Sequence, residues 1–233
     1  MRRCLLVCEG PNDELIFSMF KEIFDESIFE IKPLNGCCAD AKNLIKNVEK
    51  IVDEILSREH GYYRDDFDEI CFLIDSDGVF VDESVIVENK LINHTNYNLD
   101  SIECKDRKMI ILRNRNRIKN INELLKDGNY KIYYNSRNLE HAFDSKYSGH
   151  ISDKAKKRFA LNTITAFANC KDELINKLYF MNKSRELDLV KSWDYLKINN
   201  NSLLSASNIF IFIFNHYNDL KSEYKDLVDE LVK

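Results

Sequence analysis

Ile70-Cys71-Phe72-Leu73-Ile74-Asp75-Ser76-Asp77-Gly78 is the stretch on which the fold turns. Its first five residues are apolar without alternation, so both faces of the strand they form need cover, as in a central strand of a parallel sheet. Two acids and a glycine end it, and Gly78 lets the chain turn away sharply. Upstream, Cys4-Leu5-Leu6-Val7-Cys8 has the same character and ends at Glu9-Gly10. Asn12 offers an N-cap to a helix with Leu15, Ile16, Met19, Phe20, Ile23 and Phe24 on one face. Ile28 to Lys32 reads as another strand, closed by Pro33. The helix expected from Ala39 to Ser57 carries Leu44, Ile45, Val48, Ile51, Val52, Ile55 and Leu56 at helical spacing.

Downstream, the residues from Val79 to Leu112 read as an insertion in the crossover, with Ser101–Cys104 and Met109–Leu112 as the arms of a hairpin. Ile118, Ile121, Leu124 and Leu125 mark a helix stopped at Asp127-Gly128. Tyr130 to Tyr134 is a further strand, running into Asn138-Leu139-Glu140. The expected architecture is α/β, a mainly parallel sheet flanked by helices over residues 1–149. Beyond His150 the pattern is helical: Lys154–Cys170, Lys171–Met181, Arg185–Ile198 and Ser205–Lys233. Residues 150–233 therefore read as a C-terminal α-helical appendage. Within it, Ile209-Phe210-Ile211-Phe212-Ile213-Phe214 suits a strand or a helix buried all round.

Composition narrows the setting. With 44% hydrophobic and 31% charged residues and only two prolines, the chain of 233 residues is expected to fold throughout rather than carry disordered linkers. The apolar start is short and meets Glu9 at once, unlike a signal peptide, and no apolar run approaches the roughly 20 residues of a membrane span. A cytoplasmic protein without membrane association is expected. The seven cysteines, several in strand-like runs, fit free thiols in a reducing compartment; Cys37-Cys38 lacks the second pair that a zinc site needs. A net charge of -5 disfavours a sequence-independent nucleic-acid coat. Basic charge is nonetheless local: Lys105 to Lys119 holds seven basic residues against one acidic.

The positions of the acids carry the chemistry. Glu9 ends the first strand, Asp75 and Asp77 the third, and Glu140 follows the last, so a parallel sheet brings all four to one edge. Carboxylates crowded there repel one another unless a cation neutralises them. Oxygen donors without a His or Cys cluster select Mg²⁺ or Mn²⁺ over zinc. Asp75 and Asp77 stand two apart, spaced to meet one ion as the chain leaves the strand. Asp13, in the first helical turn, reads equally as a further ligand and as a dipole-compensating acid; Glu14 reads as the latter. Arg113, Arg115 and Arg117 alternate, so in extended chain they project to one side as nucleic-acid phosphate contacts. Their other reading is a solvated loop or a partner for the acidic run between Asp53 and Glu69. His141 is a proton relay or a satisfied helix-terminus residue, and Trp193 reads as core or partner surface.

Leu5-Leu6-Val7-Cys8-Glu9-Gly10-Pro11-Asn12-Asp13 resembles the first motif of TOPRIM domains, and Phe72-Leu73-Ile74-Asp75-Ser76-Asp77-Gly78 resembles their DxD motif, in the expected order. Tyr133-Tyr134-Asn135-Ser136-Arg137-Asn138-Leu139-Glu140-His141-Ala142-Phe143 is similar to a late motif of stand-alone TOPRIM-like proteins in bacterial anti-phage systems. The likeness covers about residues 4–145. It implies a Rossmann-like core and metal-dependent phosphodiester chemistry, with Glu9 as ligand or proton-transfer group, Asp75 and Asp77 as ligands, Glu140 as a candidate for a second metal and Asp13 as a weaker addition. A small nuclease of the OLD type fits the length better than a topoisomerase or primase, acting on DNA or RNA. An ATPase or sensor protein as partner belongs to the same likeness, and a homo-oligomer is compatible with it.

Two other readings stand beside it. Phe72 to Phe80 also resembles the nucleophile motif of haloacid-dehalogenase-type phosphatases, although two βα units precede it and Glu9-Gly10 is then unexplained. The third is a non-catalytic TOPRIM-like scaffold whose helical region docks a partner protein.

Overall fold

A computed structural model describes residues 3–25, 29–33, 49–50, 52–54, 56–57, 62–147 and 149–233. Strands β1 (Cys4–Cys8), β2 (Phe29–Pro33) and β3 (Glu69–Asp75) run parallel. After a small sheet of β4 (Ile86–Glu88), β5 (Asn96–Tyr97) and β6 (Ile102–Cys104), the chain returns as β7 (Lys131–Asn135), parallel to β3. The main sheet has the order β2-β1-β3-β7. Strand β1 lies inside it, its connection leads out to β2, and β3 returns on the other side of β1. The order therefore reverses between β1 and β3, and the crevice outside their carboxyl ends is where open α/β sheets take ligands.

Alternation along the strands sorts the core into two layers. Cys4, Leu6, Cys8, Cys71, Leu73 and Tyr133 face one side, while Leu5, Val7, Ile70, Phe72, Ile74, Ile132 and Tyr134 face the other. On the first side lie α1 (Pro11–Phe17) and α2 (Phe20–Ile23) with Phe17, Phe20 and Phe24, joined by much of the C-terminal region. On the second lie Val52 and Leu56, and Ile121 and Leu124 of α3 (Arg107–Asp127). The remainder of the helix expected over 39–57, and Cys37-Cys38, lie outside the described residues.

Three expectations are corrected. Only the first arm of the expected hairpin is a strand: β6 pairs with β4 and β5, while Met109–Leu112 belongs to α3. Asp106 caps that helix by accepting from the Met109 amide at 3.0 Å, and Gly128 ends it in the left-handed region at φ 72. Residues 150–233 pack on the sheet rather than stand apart as an appendage: Phe159, Ala160, Leu174, Leu178 and Ile209–Ile213 share one cluster with β1 and β3, and Trp193 and Leu196 join the cluster on the opposite face. Ser205–Lys233 is also not one helix. After α4 (Leu139–Phe143), α5 (Asp153–Phe167), α6 (Lys171–Met181) and α7 (Leu189–Leu196), it divides into α8 (Phe210–Asn215) and α9 (Ser222–Val232). Isolated bridges tie the surrounding chain to the rest, Ser207 to Asn135 and Leu220 to Phe24.

The ambiguous run at 209–214 is helical because it is buried all round, and Phe210–Ile213 are fully covered. Trp193 is core, with its indole N–H donating to the Ile132 carbonyl at 2.8 Å. Among the described residues no helix is long and apolar enough to cross a membrane.

Candidate active site

Strand register brings the first two acids together. Cys8 pairs with Leu73, so Glu9 and Gly10 leave β1 beside Ile74 and Asp75, at the point where the sheet order reverses. Pro11 opens α1, its missing N–H harmless at a first helical position. The cap is Gly10 rather than Asn12: the Asp13 carboxylate reaches back to accept from the Gly10 amide at 3.0 Å. On the far side of the crevice, Asn138 caps α4 by accepting from the His141 amide at 2.9 Å, which sets Glu140 in the first turn. Glu9, Asp13, Asp75 and Glu140 thus line one open cleft of about 460 Å³, with Asp153, Lys156 and Lys157 of α5 as its other wall.

The electrostatics are those of crowded, partly desolvated acids. Burial and then the charges of Glu9, Asp13 and Asp77 push the Asp75 carboxyl well above its ordinary value, against the Asn135 side-chain amide that donates to it at 3.0 Å. Asp13, 9% exposed, is pushed up to about 7 by burial and then by Glu140, against the Gly10 N–H and Lys156. Glu140 is raised by burial, with Lys156 opposing. Lys156 itself is raised in spite of its burial by the charges of Glu140, Asp75, Asp13 and Asp77. Lys156 therefore answers several acids at once, and the acids that line the cleft outnumber its two lysines.

Asp77 goes elsewhere. The DSDG turn is fixed by backbone bonds, Ser76 N to Asn135 O at 2.8 Å and Gly78 N to Ser136 O at 3.2 Å, with Asp77 and Gly78 both left-handed at φ 49 and 64. In that conformation Asp77 Oδ2 pairs with Arg117 at 2.5 Å, and the arginine is buried. The two acids of the motif therefore do not both line the cleft.

The three arginines are not an extended phosphate-binding edge. They lie on α3, where residues two apart point in different directions. Arg117 holds Asp77, Arg113 donates to the Tyr97 hydroxyl at 2.9 Å, and the exposed Arg115 pairs with Glu83 at 2.7 Å. His141 is likewise not in the cleft. It is fully buried, both ring nitrogens lack a hydrogen-bond partner, and burial followed by the Arg137 charge lowers its pKa to about 3.

The sequence reading missed Asn135, buried behind Asp75, and Asp153, Lys156 and Lys157 in the cleft wall. Asn135 ends β7 opposite Asp75, a placement that depends on register between strands 60 residues apart. Lys156 had a visible signal: Lys154, Lys156 and Lys157 crowd the start of a helix, where cations oppose the dipole and call for a local reason.

Among the described residues, no three His, Cys, Asp or Glu side chains are drawn close enough to hold a metal ion as they stand. The donor chemistry fits a hard divalent cation nonetheless. Every donor is a carboxylate oxygen, Asp75 and Asp13 are raised by neighbouring acids as well as by burial, and the cleft is open. Compared with protein-family models, with curated proteins and with solved structures, the chain finds no match in any of the three.

Proposed function

We propose that the chain is a divalent-metal-dependent nuclease of the TOPRIM type, hydrolysing phosphodiester bonds in DNA or RNA at the crevice between β1 and β3. One observation carries the reading: Glu9, Asp13, Asp75 and Glu140, far apart in sequence, line a single cleft at the topological switch point, where the charges of Glu9 and Asp13 add to burial in raising Asp75 and that of Glu140 adds to burial in raising Asp13. Glu9, Asp13, Asp75 and Glu140 would hold Mg²⁺ or Mn²⁺. Once bound, such a cation polarises a phosphate oxygen and makes an attacking water more acidic.

The chain's own groups supply the rest. Asn135 fixes the orientation of Asp75, and Lys156 offers the cleft's phosphate-facing cation. Asp13, with a proton affinity near neutrality in the metal-free cleft, would give up its proton on taking the cation. Arg117 holds Asp77 at the turn, which makes Asp77 a brace for the motif in this arrangement. A role in anti-phage defence with an ATPase partner rests on the likeness of residues 133–143 alone. The phosphatase reading asks Asp77 to exchange protons beside a nucleophilic Asp75. The ion pair to Arg117 opposes that, and Glu9 and Asp13 have no part in it.

The test is cleavage of labelled single- and double-stranded DNA and RNA in Mn²⁺ against EDTA. Metal-dependent cleavage that disappears in Glu9→Gln and in Asp75→Ala is expected. Release of phosphate from small monoesters without oligonucleotide cleavage would instead select the phosphatase.

A further inference from the structure

A second cavity, of about 330 Å³, opens between the end of α4 and the end of α6. Lys177, Phe180 and Lys183 line it, with Phe143 and Asp144 on the opposite wall. Glu140 in the first turn of α4 lines the cleft, whereas Phe143 at the end of that helix and its cap Asp144 line this cavity. We propose that it binds one nucleotide of a single-stranded nucleic-acid segment, with the base stacked on Phe180 and phosphate held by Lys177 and Lys183. The proposal deepens the nuclease reading and rests on it for the identity of the substrate.

Charge and aromatic exposure coincide here. Phe180 is 51% exposed although it lies in the same helix, α6, as the core residues Leu174 and Leu178. Tyr179 packs against it edge-on at 5.4 Å, and the Arg185 guanidinium lies 4.9 Å from the Tyr179 ring and 5.6 Å from the Phe180 ring. Among the described residues Lys177, Lys183 and Arg185 form no ion pair. Asp144 is paired with Lys146 at 2.5 Å, which lowers its pKa with help from the Lys177 charge.

The turn that presents these cations is built rather than loose. Asn182 is buried, its side-chain amide donates to the Glu186 carbonyl at 2.8 Å, and its oxygen accepts from the Ser184 hydroxyl at 2.6 Å. Arg185 is held left-handed at φ 58. A helix C-terminus attracts cations for ~0.3 to 1 kcal/mol, which would account for the lysines alone. It accounts for neither the exposed ring nor the cavity beside it. Cations flanking an accessible aromatic face are the pairing that single strands use, because every base has a stacking face and every linkage a charge.

The experiment is fluorescence anisotropy in EDTA, with labelled oligo-dT and oligo-U of about 12 nucleotides and a duplex of the same length. Wild type is compared with Phe180→Ala, with the double variant Lys177→Gln/Lys183→Gln, and with the cleft variant Asp75→Asn. Phe180→Ala should weaken single-strand binding roughly 5- to 150-fold, the value of one base stack, and leave duplex binding within about twofold. The lysine variant should flatten the salt dependence of single-strand binding. Asp75→Asn should bind single strands at least as well as wild type. Single-strand affinity untouched by Phe180→Ala, or single-strand and duplex affinity falling together, overturns the proposal. Cleavage by wild type with unaltered binding by the Phe180 variant would sink this cavity and leave the nuclease reading standing. Phe180-dependent binding without any metal-dependent cleavage would do the reverse.

Discussion

Replacing Asp13 by asparagine should make the metal-free protein more stable, by an amount that grows with pH. The Asp13 carboxyl passes from 3.8 in the unfolded chain to about 7 in the fold, chiefly through burial and then the charge of Glu140. Below pH 3.8 both states carry the proton and the group contributes nothing. Between 3.8 and about 7 the folded state binds more protons than the unfolded, so stability falls as pH rises; above about 7 the full penalty applies. At about 1.4 kcal/mol per pH unit, the interval amounts to a ceiling of about 4 kcal/mol. Asparagine keeps an oxygen to accept the Gly10 amide, so the capping bond at 3.0 Å is preserved while the charge is removed. Urea unfolding in EDTA should therefore find Asp13→Asn and wild type equally stable near pH 4, with the variant ahead by up to about 4 kcal/mol above pH 7. A gap that does not change with pH, or a variant that loses ground as pH rises, would refute the crowding argument.

Arg117→Met should cost about 3 kcal/mol in urea unfolding because it strands Asp77 beside a buried position, whereas Arg115→Ala, at an exposed pair, should cost less than about 1 kcal/mol. Equal losses would contradict the separate roles assigned to the two arginines. Gly78→Ala should destabilise by about 1 to 3 kcal/mol, since φ is 64 and the new Cβ would lie 2.8 Å from Leu203 Cδ2; an unchanged unfolding midpoint would mean that the turn relaxes freely. Lys156→Met should slow oligonucleotide cleavage about 100-fold with Mn²⁺ affinity held or increased, because it removes a phosphate-facing charge and a competitor for the acids; parallel loss of both would place Lys156 in the metal's support instead.

What could be read from the chain divides along physical lines. The strands β1, β3 and β7 were legible because a strand covered on both faces has to be apolar throughout, and the acids that end β1 and β3 interrupt that pattern sharply. That Glu9, Asp75 and Glu140 share an edge follows from parallel connectivity, with no side-chain detail needed. The arginines were misread because alternation at 113, 115 and 117 imitates a strand. Gly128 marks the end of the helix that holds them, but its start at the Asp106 cap lies ahead of all three arginines, in a stretch whose apolar residues Met109 to Leu112 also suit a strand. The fate of Asp77 was not legible: it depends on a left-handed turn and on an arginine 40 positions away, and no local pattern encodes that pairing. The C-terminal helices carry no mark of the sheet they cover, since an apolar helix face reads alike whether it meets a strand or another helix.

The central claim is that the crevice between β1 and β3 binds a divalent cation through its acids, and titration with Mn²⁺ followed by the loss of the free-ion electron paramagnetic resonance signal measures that without recourse to activity. Wild type should remove Mn²⁺ from solution with an affinity that rises as pH increases through about 7, where Asp13 gives up its proton, and Glu9→Gln and Asp75→Asn should each abolish the uptake while folding normally. Uptake that is absent in wild type, or that survives both substitutions, would contradict the account.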